Sequence, residues 1–144
     1  MAIPVRLLYG YLSQSSDPYN LSIPWRNSVT DGLFQMNYAI EDAITDNLKV
    51  WAKTNWGERP MKFQFGLDAK RALFEPMPIA KEIILNNARN QLSKYFGFLN
   101  IKELSVKTPD DDNSLNENSV IFTLVATFKD DENKQVKVSE NIGL

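Results

Sequence analysis

Neither cysteine nor histidine occurs in the 144 residues. Their absence excludes disulfides, thiolate nucleophiles, Cys/His zinc sites and imidazole acid–base catalysis, leaving carboxylates, lysine, tyrosine and Ser/Thr for any chemistry. An excess of one charge is also lacking. The 16 Lys and Arg stand against 18 Asp and Glu, a net charge of -2 that gives no reason to expect a nucleic-acid partner. Long hydrophobic runs are missing too: the opening MAIPVRLLYGYLSQSS has neither an extended apolar stretch nor a basic segment ahead of one. Neither a signal peptide nor a membrane span is expected, and the protein is expected to stay in a cytoplasm or in a particle assembled there.

What is present fits one domain with attachments. An apolar fraction of 43% and an aromatic fraction of 11% argue against global disorder. Charge is graded along the chain: residues 61–107 carry eight Lys/Arg against four Asp/Glu, and residues 108–144 carry three against eight. Such polarity suits head-to-tail or hetero-subunit contacts, and equally a solvated surface with no partner.

Residues 1–30 lack a sustained period, and Pro4, Pro18 and Pro24 disfavour helix before them. This segment is nevertheless rich in apolar and aromatic groups, among them Tyr9, Tyr11, Tyr19 and Trp25. It is read as an extended partner-binding segment ahead of a domain over 31–144; its aromatics either lie across that domain or enter a groove on a partner.

From Met36 onward the pattern becomes helical. Met36, Ile40, Ala43, Ile44, Leu48 and Trp51 form one stripe, with Glu41, Asp42, Asp46 and Asn47 on an expected solvated face, Asp31 capping a turn ahead, and Gly57 past the end. LDAKRALF predicts two turns of helix with Leu67, Arg71 and Phe74 aligned and Asp68 in the first turn. Pro78 opens a second long helix whose face is Ile79, Ile83, Ile84, Ala88, Leu92 and Tyr95, ended by Gly97. The remainder has period two: IKELSVK, NSVIFTLVATFKD and KQVKVSE predict three strands. Val120, Phe122, Leu124, Ala126 and Phe128 point at the helices, and the other face is partly covered. DDEN at 130–133 predicts a tight hairpin, and 108–118 a long, acidic, mobile loop. The last segment, with Val136 and Val138, reads as an edge strand. The expected fold class is α+β: two long helices and one short helix packed on a small antiparallel three-stranded meander.

Candidate chemistry is sparse. Glu58, Asp68, Glu75 and Glu103 supply the only acid–base pairs, and nothing in their spacing demands a catalytic cleft, so no catalytic residue is assigned. DDDNSLNE lacks the glycine and ligand spacing of a calcium loop, so no metal or cofactor is expected. NWGERPMKFQFG at 55–66 reads as framework. Gly57 lets the chain leave the helix, Pro60 extends Arg59, Met61, Phe63 and Phe65 alternate toward the core, and Gly66 opens the next turn. Arg59 is then either a clamp to Glu75 or Glu58, or a fork offered to a partner.

The order helix, GERPM, FG, short helix ending LFEPM, long helix is similar to the small baseplate wedge proteins, or sheath initiators, of contractile phage tails and related injection machines such as type VI secretion. The resemblance covers about residues 29–140. Its motif positions here are Gly57, Glu58, Arg59, Pro60, Phe65, Gly66, Leu73, Phe74 and Glu75. It implies a non-enzymatic subunit of the virion tail baseplate, six copies around the tube, with wedge scaffold, tube or hub, and sheath proteins as partners. No nucleic acid or membrane is implied. Residues 134–140, with Val136 and Val138, match where the family offers a sheet edge to sheath. Many members carry Glu-Pro-Arg after the long helix. This chain has KYFGFLN there, so Tyr95, Phe96 and Phe98 are expected to make an apolar wedge contact instead. The rival readings are a carboxylate-dependent peptidoglycan hydrolase, as some proteins of the group are described as lysozyme-like, and a free regulatory adaptor.

Overall fold

The computed structural model describes residues 17–29 and 31–143. Tyr9 and Tyr11 lie outside them. The chain divides into two compact units, residues 1–47 and 48–144. Among the described residues it has three helices and a three-stranded antiparallel sheet, which bears out mixed helix and sheet.

The first unit holds a short ladder in which β1 (Asn20–Leu21) pairs antiparallel with β2 (Met36–Asn37). Met36 is therefore a strand residue. Its place in the helical stripe was a coincidence of spacing, because its backbone pairs with Leu21 and the helix α1 starts at Ile40 (Ile40–Lys53). Asp31 accepts from the Met36 N–H at 3.2 Å and from the Tyr38 hydroxyl at 3.1 Å, fixing the approach to β2. Asp46, expected on a solvated face, is buried: its carboxylate accepts from the Ile23 N–H at 2.9 Å and the Asn37 amide at 2.8 Å. A buried carboxylate persists only with such partners, and here it ties the early segment to the helix. Tyr19 and Trp25 are exposed, the latter tilted against Phe34 at 5.9 Å between centroids.

The boundary between units falls inside α1, whose last turns belong to the second unit. Glu41 and Asp42 in the first turn and Lys53 in the last complement the helix dipole. Thr54 closes the helix by turning its N–H back to Trp51 and its hydroxyl to Val50. Then come α2 (Ala69–Ala72) and α3 (Met77–Tyr95). α2 has four residues instead of two full turns, because Asp68 adopts a left-handed conformation at φ 55 and the chain enters the helix only after it. Of the expected stripe only Arg71 lies on this short helix; Leu67 before it is buried while Arg71 and Phe74 are exposed, so no common stripe forms. α3 begins one residue before Pro78, and its inward face is Ala80, Ile84, Ala88, Gln91 and Leu92. Ile79 is left exposed, about 100° around the helix from Ala80.

β3 (Leu99–Lys107), β4 (Ser119–Phe128) and β5 (Gln135–Gly143) follow, ordered β3-β4-β5. Val120, Phe122, Leu124, Ala126 and Phe128 are all buried, as their alternation predicts. Val125 and Thr127 on the other face are buried as well; β4 is the central strand, and in register Val125 is flanked by Glu103 and Lys137 and Thr127 by Asn100 and Gln135. A bulge between Ile101 and Glu103 in β3 makes Lys102 an extra residue, so the parity switches and Leu104 and Val106 share a face with Leu99. Trp51 from α1 forms the centre of the core, with Phe96 and Phe122 edge-on at 6.0 and 5.9 Å.

Residues 108–118 form a loop of hydrogen-bonded turns. Asp111 accepts from the Thr108 N–H and hydroxyl and pairs with Lys81 at 3.1 Å, and Asp112 accepts from Ser114. The Thr108 backbone N–H, followed by the Lys81 ammonium, holds the Asp111 carboxyl below its ordinary value. The 130–133 hairpin is tight, closed by Lys134 N–H to the Asp131 carbonyl.

Candidate functional site

Residues 54–68 fold back on themselves to make a corner between α1 and α2. Gly57 takes φ 88 and donates to the Phe63 carbonyl at 2.7 Å, while Lys62 N–H reaches the Arg59 carbonyl at 3.2 Å across Pro60 and Met61. That bond, proline second, and φ 65 at Met61 third make the arrangement of a type II turn. Met61 is 94% exposed and Phe63 is exposed beside it, so only Phe65 of the expected aromatic alternation enters the core. The reason is the turn: alternation requires extended backbone, and Pro60–Met61 interrupts it. Gly66 has φ 120 and sits against the Thr54 backbone, with which Asp68 N–H also bonds.

Glu58 is not the clamp for Arg59. Its two carboxylate oxygens accept from the Asn55 N–H and side-chain amide, each at 2.8 Å. The Asn55 side chain first, then its backbone N–H, with Lys70 adding a smaller attraction, hold Glu58 below the ordinary glutamate value. A folded-state value below the unfolded one means the contribution to stability is present above the unfolded value and is lost as pH falls through the folded one. A carboxyl NMR titration should place the Glu58 midpoint below that of ordinary glutamates, and Asn55→Ala should move it part of the way back. An unchanged midpoint in the variant would contradict the assignment. Arg59 lies instead over the Phe65 ring, 4.5 Å from the centroid, and among the described residues no carboxylate pairs with it. Glu75 is not its acceptor.

Behind this corner opens a cleft of about 310 Å³ lined by Trp56, Asp68, Arg71, Ala72, Glu75, Ile83 and Asn87. The Trp56 indole N–H donates to the Gly66 carbonyl at 3.1 Å, the buried Asp68 carboxylate accepts from the Trp56 N–H at 3.2 Å, and Asn87 reaches the Leu67 carbonyl at 3.4 Å. The rim is thereby stiffened. Arg71 and Glu75 are exposed and, among the described residues, form no ion pair. Of the motif residues, Glu75 lines this cleft, while Phe74 is 78% exposed outside its lining. Trp56, Arg71 and Asn87 have no signal in the sequence, since they come together only when the corner, α2 and α3 meet. The lining combines charged groups on Asp68, Arg71 and Glu75 with apolar surface from Trp56, Ala72 and Ile83. Among the described residues no cluster of three or more acids is placed to hold a metal ion, and no helix is long and apolar enough to cross a membrane.

The remaining partner-binding expectations separate into two groups. Phe96, Val136 and Val138 are buried in the chain's own core, so their side chains are not available to a partner. Phe98 is partly exposed, stacked on Phe128 at 6.2 Å, and Tyr95 is half-buried against Phe65 at 5.1 Å. What β5 does offer is its backbone. Phe128 N–H bonds to the Lys134 carbonyl, and the register runs unbroken from Thr127↔Gln135 to Ser119↔Gly143. In an antiparallel ladder the backbone groups alternate between neighbours, so Val136, Val138, Glu140 and Ile142 turn theirs to β4. Gln135, Lys137, Ser139 and Asn141 then turn theirs to the open edge. The opposite edge, β3, carries the bulge.

No protein-family model matches this chain, and no curated protein matches it either.

Proposed function

We propose that this protein is a structural subunit of a contractile-tail baseplate, standing between wedge and tube and starting sheath assembly on its sheet. The observation that carries the reading is the β5 edge: a regular strand with its valines locked in the core and every second backbone amide presented outward. Such an edge accepts an added strand through main-chain bonds without giving up its own packing. The bulged β3 edge is blunted against the same event. The stiff corner around Gly57 and Gly66, with the adjoining charged cleft, supports contact with the wedge scaffold, and the helices over a three-stranded meander agree with the architecture expected of such subunits. The virion as location, the six copies, and the tube or hub contact come from the motif resemblance.

Proline tests the edge directly. Ser139→Pro removes an outward amide and spares the β4–β5 ladder, so folding should change by about 1 kcal/mol or less while co-sedimentation with assembled sheath is lost. Val138→Pro removes a ladder bond and should destabilise by about 3 kcal/mol or more. Sheath binding that survives in Ser139→Pro would sink the edge reading.

A second reading has one observation in its favour: Asp68 and Glu75 share the cleft. Peptidoglycan cleavage by the purified chain, lost in Glu75→Gln, would establish a hydrolase in its place.

A further inference from the structure

At the end of α3 the cations gather on aromatic rings. Phe65 and Tyr95 meet edge-on at 5.1 Å. Arg59 lies over Phe65 at 4.5 Å, and Lys62 and Lys94 lie over Tyr95 at 5.7 and 5.3 Å. All three cations are exposed, and among the described residues none is within ion-pair distance of a carboxylate. Glu58, on the same loop, is turned to Asn55 and feels Lys70. The helix dipole accounts for a lysine in the last turn of α3. It does not account for Arg59 and Lys62, which a separate loop brings to the same two rings.

The opposite charge sits at the other end of the same helix. Lys81 is bonded to Asp111, which places the 108–118 loop beside the start of α3. Between Lys81 and Lys94 the helix rises roughly 20 Å at 1.5 Å per residue, about twice the screening length in 0.1 M salt. The basic shelf and the acidic loop are too far apart to satisfy each other within one chain. Asp110 and Glu117 in that loop are exposed and form no ion pair among the described residues.

We infer that the shelf of Arg59, Lys62 and Lys94 on Phe65 and Tyr95 docks the 108–118 loop of a second copy of this chain, joining subunits head to tail. The rings hold the cations in place, so less side-chain freedom is lost when carboxylates arrive. The contact uses different surfaces on its two sides, and so propagates into a ring or an open chain instead of stopping at a two-fold dimer. It is electrostatic and exposed, hence weak and salt-sensitive.

Sedimentation velocity on the full chain, across concentration, tests this. In about 10 mM salt the weight-average mass should rise at least about two-fold with concentration, and in about 1 M salt it should return to monomer. Lys62→Glu with Lys94→Glu should be monomeric throughout, and so should Asp110→Lys with Glu117→Lys. Circular dichroism checks that each variant is folded, and because the two lie on opposite sides of the contact, either one alone tests it. Mixing the two variants restores opposite charges at both contacts and should bring association back. A wild-type chain that stays monomeric in low salt, an association unaffected by either reversal, or a mixture that remains monomeric would each overturn the inference.

Discussion

Trp51→Ala should lower the stability of this protein by about 4 kcal/mol, with a fall in melting temperature on the order of 12 °C for a chain of this size. The indole is fully buried at the meeting point of the last turn of α1, the end of α3 and the middle of β4. Truncation removes the ring area and both edge-on contacts, and leaves a void that backbone on three sides cannot close. Trp51→Phe separates packing from polarity. The indole N–H has no acceptor among the described residues, so phenylalanine keeps most of the ring contacts while removing a buried donor that gains nothing. Its cost should be about 1 kcal/mol or less. Chemical denaturation of both variants beside Val50→Ala, an exposed neighbour on the same helix, decides the matter. Were Trp51→Ala no worse than Val50→Ala, Trp51 would not be the centre of the core.

The parts of this fold legible in the sequence are those governed by one period. The inward face of β4 is readable because Val120 through Phe128 alternate without interruption, and the edge position of β5 because only one side of it is apolar. The legible pattern ends where periods break or compete. In β3 the bulge at Lys102 shifts parity, so Ile101 and Val106 look out of phase on paper although they pair toward the same face. Along α3 there are apolar residues on more than one side. The pattern puts the larger Ile79 inward, whereas small Ala80 takes that place beside the expected Ala88, since an alanine lets the helix backbone come close to its neighbour. Asp46 could not be found by pattern at all, because its partners Ile23 and Asn37 are distant in sequence. For the same reason the cleft was invisible: Trp56, Arg71 and Asn87 belong to three elements and acquire a common purpose only by contact. The motif glycines were legible as turns, yet their two roles differ in kind, and that difference leads to the strongest test of the corner.

Gly66→Ala should destabilise by about 3 kcal/mol or more, and Gly57→Ala by only about 1 kcal/mol. Both glycines have positive φ, 88 at Gly57 and 120 at Gly66, so both substitutions strain the backbone. Around Gly57 there is open space for a methyl group. At Gly66 a methyl carbon would strike the Thr54 carbonyl, lying 2.8 Å from its carbon atom. That carbonyl cannot retreat, because it accepts from Asp68 N–H at the entry to α2, and the residue next to Gly66, Leu67, is tied to Trp51 in the same way. Displacement would therefore pull on the end of α1, on the left-handed Asp68 and, through the Trp56 indole bond to the Gly66 carbonyl, on the wall of the cleft. The two variants consequently report on different things. Thermal melts should rank Gly66→Ala far below Gly57→Ala, and indole NMR should show the Trp56 N–H signal shifted in the first and preserved in the second. Equal costs, with the Trp56 signal unmoved in both, would mean that the corner yields and that the cleft is not held by it.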